Sequence, residues 1–285
     1  MEQKMLFDRN ASGNDPAYTA LRDREDLKPY RDEVELLWTK FEPYSDRQFH
    51  REIRDNFVSR YWEMYLGCSL LEQGKKLKKK PAKGPDLAVD MEDGRTCWIE
   101  AVAPEVGSGN DAVPEIGKGG WAPKDRILLR IRSAIYDKYK IYRQWIKDRV
   151  VGKNDPFLIG VNLNKIQFAM GDDEPPYIIQ AVFPIGGLAS VVDTKTLEVV
   201  SQEYSHKPSV CKVSGERIST NIFLDRRYEG ISAVLYSTVD DYRYPRQQKH
   251  DFKVVYNPLA LNSLSNKWLT CSSVYWVENN KLESR

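Results

Sequence analysis

Three acids stand where acids are out of place. Asp86 opens an apolar run in "GPDLAVD", Glu100 sits inside "CWIEAVA", and Glu63 lies within "YWEMYLGCSLL". A carboxylate on a buried strand or helix face is costly unless a cation meets it. The stretch 84–104 reads as two short strands around the tip "EDG". Taking Glu92, Asp93 and Gly94 as a three-residue loop, with glycine in the left-handed position, pairs Met91 with Arg95. Counting back, Asp86 then faces Glu100 on one side of the sheet, with Cβ atoms about 4.5–5.5 Å apart. A two-residue loop would separate them onto opposite faces. Two opposed carboxylates repel when ionised, and a divalent cation relieves the repulsion; oxygen ligands on a rigid sheet suit Mg²⁺ or Mn²⁺. The ordinary alternative is that Asp86 caps a strand after Pro85 and Glu100 pairs with a lysine. Around Glu63, the residues Tyr61, Trp62, Met64, Tyr65 and Leu66 make the helix turn apolar nearly all round. Glu63 therefore either reaches a narrow wet strip or aims at a cation.

The elements that must hold these acids follow from periodicity. Residues 1–28 are polar and read as a loosely attached arm, followed by a short helix from Pro29 to Lys40. Asp46 suits the N-cap of a longer helix through Leu71, with Ile53, Phe57, Tyr61, Met64 and Cys68 at helical spacing and Gly74 as the stop. "GKKLKKKPAKGPD" holds a short edge strand before the hairpin. A glycine-rich loop, "GKGGWAP", leads to a second long helix over Lys124–Arg149, and "PFLIGVN" reads as a buried strand. Beyond Lys165, "YIIQAVFPI" fits helix or strand, "LASVVDTKTLEVVS" a hairpin, and "GISAVLYST" and "FKVVYNP" strands. The divisions are an arm and short helix (1–45), a core (46–165) and a β-rich part continuous with it (166–285). The fold class is a mixed α/β (α+β) sheet flanked by helices.

Composition narrows the function classes. The chain has 285 residues and a net charge of only +2, so global charge does not point to nucleic acid. No apolar run of about 18 residues suggests a membrane span, and the N-terminal stretch has no apolar signal core. Cys68, Cys97, Cys211 and Cys271 are scattered, as reduced thiols of a cytoplasmic protein would be. His50, His206 and His250 are too far apart for ordinary zinc spacing. No phosphate-binding or nucleophile-elbow motif is present.

A helix acid, then Pro85–Asp86, then Glu100 in "IEAV" resembles the PD-(D/E)XK nuclease superfamily, the restriction-endonuclease-like fold. The matching stretch runs from about Asp46 to Asn162. The resemblance implies a mixed sheet between two helices and a Mg²⁺- or Mn²⁺-dependent endonuclease, a hydrolase acting on DNA or RNA. Defence and DNA processing are common settings for it. It further implies a metal held by Asp86, Glu100 and the carbonyl of Ala101, assisted by Glu63. The family pattern places a lysine two residues after the second acid, and here that residue is Val102. Lys138 is the candidate replacement. It lies at the centre of the stripe Ile127, Ile131, Ala134, Ile135, Tyr142 and Trp145 of the second long helix, and either meets an anion or runs past Tyr142 to water.

Six lysines, Lys75, Lys76, Lys78, Lys79, Lys80 and Lys83, precede Asp86 and would contact phosphates without reading sequence. The alternative is a solvated face. "YRYPRQQK" (Tyr242–Lys249) interleaves aromatics with arginine, as a base-stacking segment or a braced turn would. Expected partners are nucleic acid, DNA first, and a second copy of the chain, with no membrane. A catalytically silent module with the same scaffold, binding nucleic acid or a protein, stands as the other reading.

Overall fold

The computed structural model describes residues 5–80, 83–117, 123–240 and 252–285. The base-stacking candidate Tyr242–Lys249, and the glycine-rich loop beyond Gly117 as far as Trp121, lie outside the described residues.

The N-terminal segment is not a loose arm. Asp15 and Pro16 form an N-cap and first-turn pair that starts helix α1 (Pro16–Asp23), and the Asp15 carboxylate accepts the Ala17 and Tyr18 N–H groups. Leu6, Tyr18 and Leu21 are fully buried. The Leu6 and Phe7 N–H groups donate to Glu35 at 3.0 and 2.8 Å. Glu35 belongs to α2 (Lys28–Phe41).

Asp46 does not start one long helix. A short α3 (Phe49–Glu52) precedes α4 (Phe57–Glu72), and the break falls at 53–56. The free N–H of Phe57 at the head of α4 is capped from a distance by Asp15 Oδ2 at 2.8 Å. Every residue of α4 from Tyr61 to Leu70 is buried, Glu63 included. This helix is therefore covered on all sides, which is why it has no polar face. Gly67 lets it approach α2 closely: a Cβ there would lie 2.5 Å from Phe41 Cε2.

A three-stranded meander follows: β1 (Lys76–Lys78), β2 (Leu87–Asp90) and β3 (Thr96–Val102). The β2–β3 turn has the expected form. Met91 N–H donates to the Arg95 carbonyl at 3.0 Å, and Gly94 has φ +81°. Leu87 pairs with Ile99 and Ala88 with Trp98, so the next step brings Asp86 opposite Glu100. Helix α5 (Lys124–Lys147) then crosses to β4 (Phe157–Asn162), which pairs parallel with β3.

The second half completes the same sheet. The ambiguous run becomes helix α6 (Tyr177–Val182), buried throughout; a continuous apolar run cannot by itself distinguish the two states. Two hairpins follow, β5 (Ile185–Val192) with β6 (Val199–His206), and β7 (Ser209–Cys211) with β8 (Arg217–Ser219). Then β9 (Ala233–Ser237), β10 (Phe252–Tyr256), β11 (Ser273–Glu278) and β12 (Lys281–Ser284) extend an eight-stranded mixed sheet of order β1-β2-β3-β4-β9-β10-β11-β12.

Each face of the sheet has its own core. Leu87, Val89, Cys97, Ile99 and Ala101 pack with α1, α2 and α4 on one side, while Trp98 and Val102 pack with α5 and α6 on the other. Strand alternation puts Glu100 on the α5 side, between Trp98 and Val102. Among the described residues no helix is long and apolar enough to cross a membrane.

Candidate active site

The meander and the two long helices bring Glu63, Asp86, Glu100 and Lys138 together at one end of the sheet. Asp86 and Glu100 are linked directly through the main chain. The Asp86 N–H donates to Glu100 Oε2 at 3.3 Å, and the Ala101 N–H donates to Asp86 Oδ2 at 2.9 Å. The Asp86 carboxylate thus lies over β3 beside Glu100, as the register requires.

Lys138 reaches the pair from α5. Its Nζ donates to Glu100 Oε1 at 2.7 Å. The alternation that puts Glu100 on the α5 side puts residue 102 there too, and Val102 packs against the apolar stripe of α5. The cation that meets Glu100 comes from α5, the helix covering that face.

Lys80 is the feature that sequence reasoning misplaced. It was expected among the phosphate-contacting lysines, but its side chain turns inward and is only 10% exposed. Its Nζ lies 2.9 Å from Asp86 Oδ1, 3.2 Å from Glu63 Oε1 and 3.1 Å from Asp46 Oδ2. Arg60 supports the same group from α4, with Nη1 2.5 Å from Glu63 Oε2 and 3.5 Å from Asp46 Oδ2. Its other nitrogen is paired with Glu52. The sequence offered Asp46 only as a helix cap and singled out neither Glu52 nor Arg60. The one available signal was that Arg60 stands three residues before a glutamate on an otherwise apolar turn.

The remaining lysines of the run separate. Lys78 pairs with Asp90 at 2.7 Å and donates to Thr96 Oγ1 at 2.9 Å. Lys75 Nζ lies 4.9 Å from the centre of the Trp268 ring. Lys76, Lys79 and Lys83 are exposed on or beside the edge strand. A groove of about 820 Å³ lies at the far end of β1, lined by Lys75, Lys76, Asp90, Lys267 and Trp268 among others. It is not at the carboxylates.

Burial, together with the neighbouring Asp86 charge, pushes the Glu63 carboxyl up to about 7; Lys80 and Arg60 pull it back only in part. Burial and Asp86 likewise push Glu100 up to about 7, against Lys138 and Lys80. Burial opposes the charge of Asp46 as well, but there the attraction of Lys80 wins and the carboxyl is held below its usual range. For Lys80 the order is the same: burial disfavours the ammonium, and the charges of Asp86 and Glu63 outweigh it, so its pKa rises.

Five carboxylates (Asp46, Glu52, Glu63, Asp86 and Glu100) face three cations (Arg60, Lys80 and Lys138), an excess of two negative charges when all are ionised. The donor set is all oxygen, which fits a hard divalent ion. The side chains do not form an open cation cage, however. Among the described residues no group of three or more His, Cys, Asp or Glu side chains is arranged to hold a metal. The ammonium groups of Lys80 and Lys138 stand on the carboxylate oxygens instead. No protein-family model, curated protein or solved structure matches this chain.

Proposed function

We propose that this protein is a metal-dependent nuclease that hydrolyses phosphodiester bonds of DNA or RNA. The observation that carries the reading is half-buried Asp86 set against buried Glu100, whose carboxylate meets Lys138 from the opposing helix, inside a cluster that is short of two positive charges when all its acids are ionised. Support also comes from the order of elements. A helix bearing Glu63, a β1–β2–β3 meander bearing the two acids, a helix bearing Lys138 and a strand parallel to β3 are compatible with the mixed sheet between two helices that the PD-(D/E)XK resemblance implies.

Asp86, Glu100 and the Ala101 carbonyl are the groups that would hold Mg²⁺ or Mn²⁺, with Glu63 beside them. Such an ion lowers the pKa of a bound water and neutralises charge on a phosphoryl oxygen. The chain's own residues do the rest. Lys138 presents a fixed positive charge at Glu100, where negative charge would develop. Asp86 is oriented by the Ala101 N–H, so its carboxylate keeps its place over β3. The exposed lysines Lys76, Lys79 and Lys83 offer sequence-independent phosphate contacts along the edge of the sheet.

The test is cleavage of a mixed DNA and RNA panel in Mg²⁺ and Mn²⁺. Asp86→Asn and Glu100→Gln are expected to abolish divalent-dependent cutting while keeping the fold. Variants that cut as fast as the wild type would refute the assignment. The silent, binding-only module is favoured by one observation, that lysines already occupy the carboxylates. It predicts a wild type that binds nucleic acid and cuts none of the panel.

A further inference from the structure

The cations among the carboxylates are not equivalent. Lys138 pairs with one acid, whereas Lys80 stands among three, drawn from the loop before α3, from α4 and from the residue leading into β2. The Lys80 main chain is pinned, since its N–H donates to the Tyr44 carbonyl at 3.2 Å. Only the flexible four-carbon side chain has to turn for the ammonium to leave. The side chain is not sealed in, since a tenth of its surface is exposed.

We propose that Lys80 is the resident counter-cation on the Asp86 and Glu63 side of the metal position: in the metal-free protein its ammonium holds Asp46, Glu63 and Asp86 together, and a divalent ion held by Asp86 enters as that ammonium leaves. This rests on the metal-dependent reading above and adds how the site is loaded. Charge favours the exchange. With Lys80 inside, the cluster carries two excess negative charges; with a divalent ion in its place it carries one. Geometry favours it too. Asp86 Oδ1 is held by Lys80, whereas Oδ2 is held by the Ala101 N–H, so withdrawal of one side chain frees an oxygen without disturbing the strand. Arg60 and Lys138 stay on Glu63 and Glu100 when Lys80 turns out; half-buried Asp86, left without its cation, would be costly, and an ammonium on a flexible stem supplies one until the metal arrives.

Two measurements test this, both with Mn²⁺ alone as the probe. In the first, Mn²⁺ affinity is measured by calorimetry for the wild type and for Lys80→Gln. Removing the competing ammonium is expected to tighten binding about tenfold or more. Lys80→Gln is also expected to melt below the wild type in EDTA and to regain most of the difference in Mn²⁺. The second measurement needs no variant and so does not depend on one folding. Amine-reactive labelling of the wild type, read by peptide mass spectrometry, is expected to modify Lys80 slowly in EDTA and several-fold faster in saturating Mn²⁺, with Lys79 and Lys83 as unchanged references. Wild-type binding of Mn²⁺ with no gain in Lys80→Gln, or with Lys80 labelling unmoved by metal, would overturn the exchange and leave the metal-dependent reading intact. Absence of Mn²⁺ binding in both proteins would overturn that reading, and the exchange with it.

Discussion

Between Lys138 and Glu100 the charges are 2.7 Å apart and the glutamate is buried. A buried ion pair is not in itself a gain in stability, because desolvation offsets much of the attraction. Its use here is positional: it fixes an ammonium at the face where Val102 brings none. Lys138→Met keeps most of the volume and removes the charge. It is expected to lower single-turnover cleavage about 10²–10³-fold, a loss of about 2.7–4 kcal/mol in transition-state stabilisation, with a much smaller change in Mn²⁺ and DNA affinity. Wild-type turnover by this variant would remove Lys138 from the chemistry. The pH dependence of stability follows from Glu63 and Glu100. Both carboxyls are raised in the folded protein from 4.5 to about 7. The unfolded chain therefore releases protons first, and metal-free stability is highest below about pH 4.5 as far as these groups go, falling as pH rises through 7. Urea denaturation in EDTA at a series of pH values should show this decline, and Glu63→Gln should flatten it. At this scale the sequence was informative wherever a charge broke an apolar pattern, as Glu63, Glu100 and Lys138 do. It took Asp46 for a helix cap and was silent on Arg60 and the inward turn of Lys80, because a polar residue in a polar neighbourhood looks the same whether it faces water or a partner far along the chain.

The β2–β3 hairpin was readable because its register is set locally. A glycine in the left-handed region after two acidic residues selects the three-residue loop, and the loop selects which residues oppose. The same logic failed for α3 and α4, where periodic apolar residues continue across the break and the cap comes from Asp15, 42 residues away. Helix α4 offers a test of packing. Gly67→Ala places a methyl carbon 2.5 Å from Phe41 Cε2. Overpacking of this kind is expected to cost about 1–3 kcal/mol, measurable as a lower midpoint in urea with unchanged slope. The edge strand offers a test of binding. Replacing the exposed lysines Lys76, Lys79 and Lys83 with glutamine is expected to reduce the log–log salt slope of duplex DNA binding by up to about 0.9 for each phosphate no longer neutralised. An unchanged slope would leave those lysines the role of keeping an exposed edge soluble.

Across the whole molecule, the mixed α/β class and the β-rich second half were legible from the succession of patterns, while the packing of the N-terminal segment was not. Leu6, Phe7, Tyr18 and Leu21 are too sparse in a polar stretch to announce a buried face, although Asp15–Pro16 carried a helix-start signal. The position of β4 has a further consequence. It closes the stretch 46–165 in sequence, yet in space it lies mid-sheet, paired parallel with β3 on one side and with β9 on the other, and all six of its residues are buried. Cutting the gene after residue 165 would turn this strand into a bare hydrophobic margin, a template for joining one molecule to the next. Such a shortened protein is expected to collect in inclusion bodies, or to elute as large assemblies if refolded, and the attempt to trim this chain to a minimal catalytic unit is expected to fail at the bench for want of β9 rather than for want of any acid.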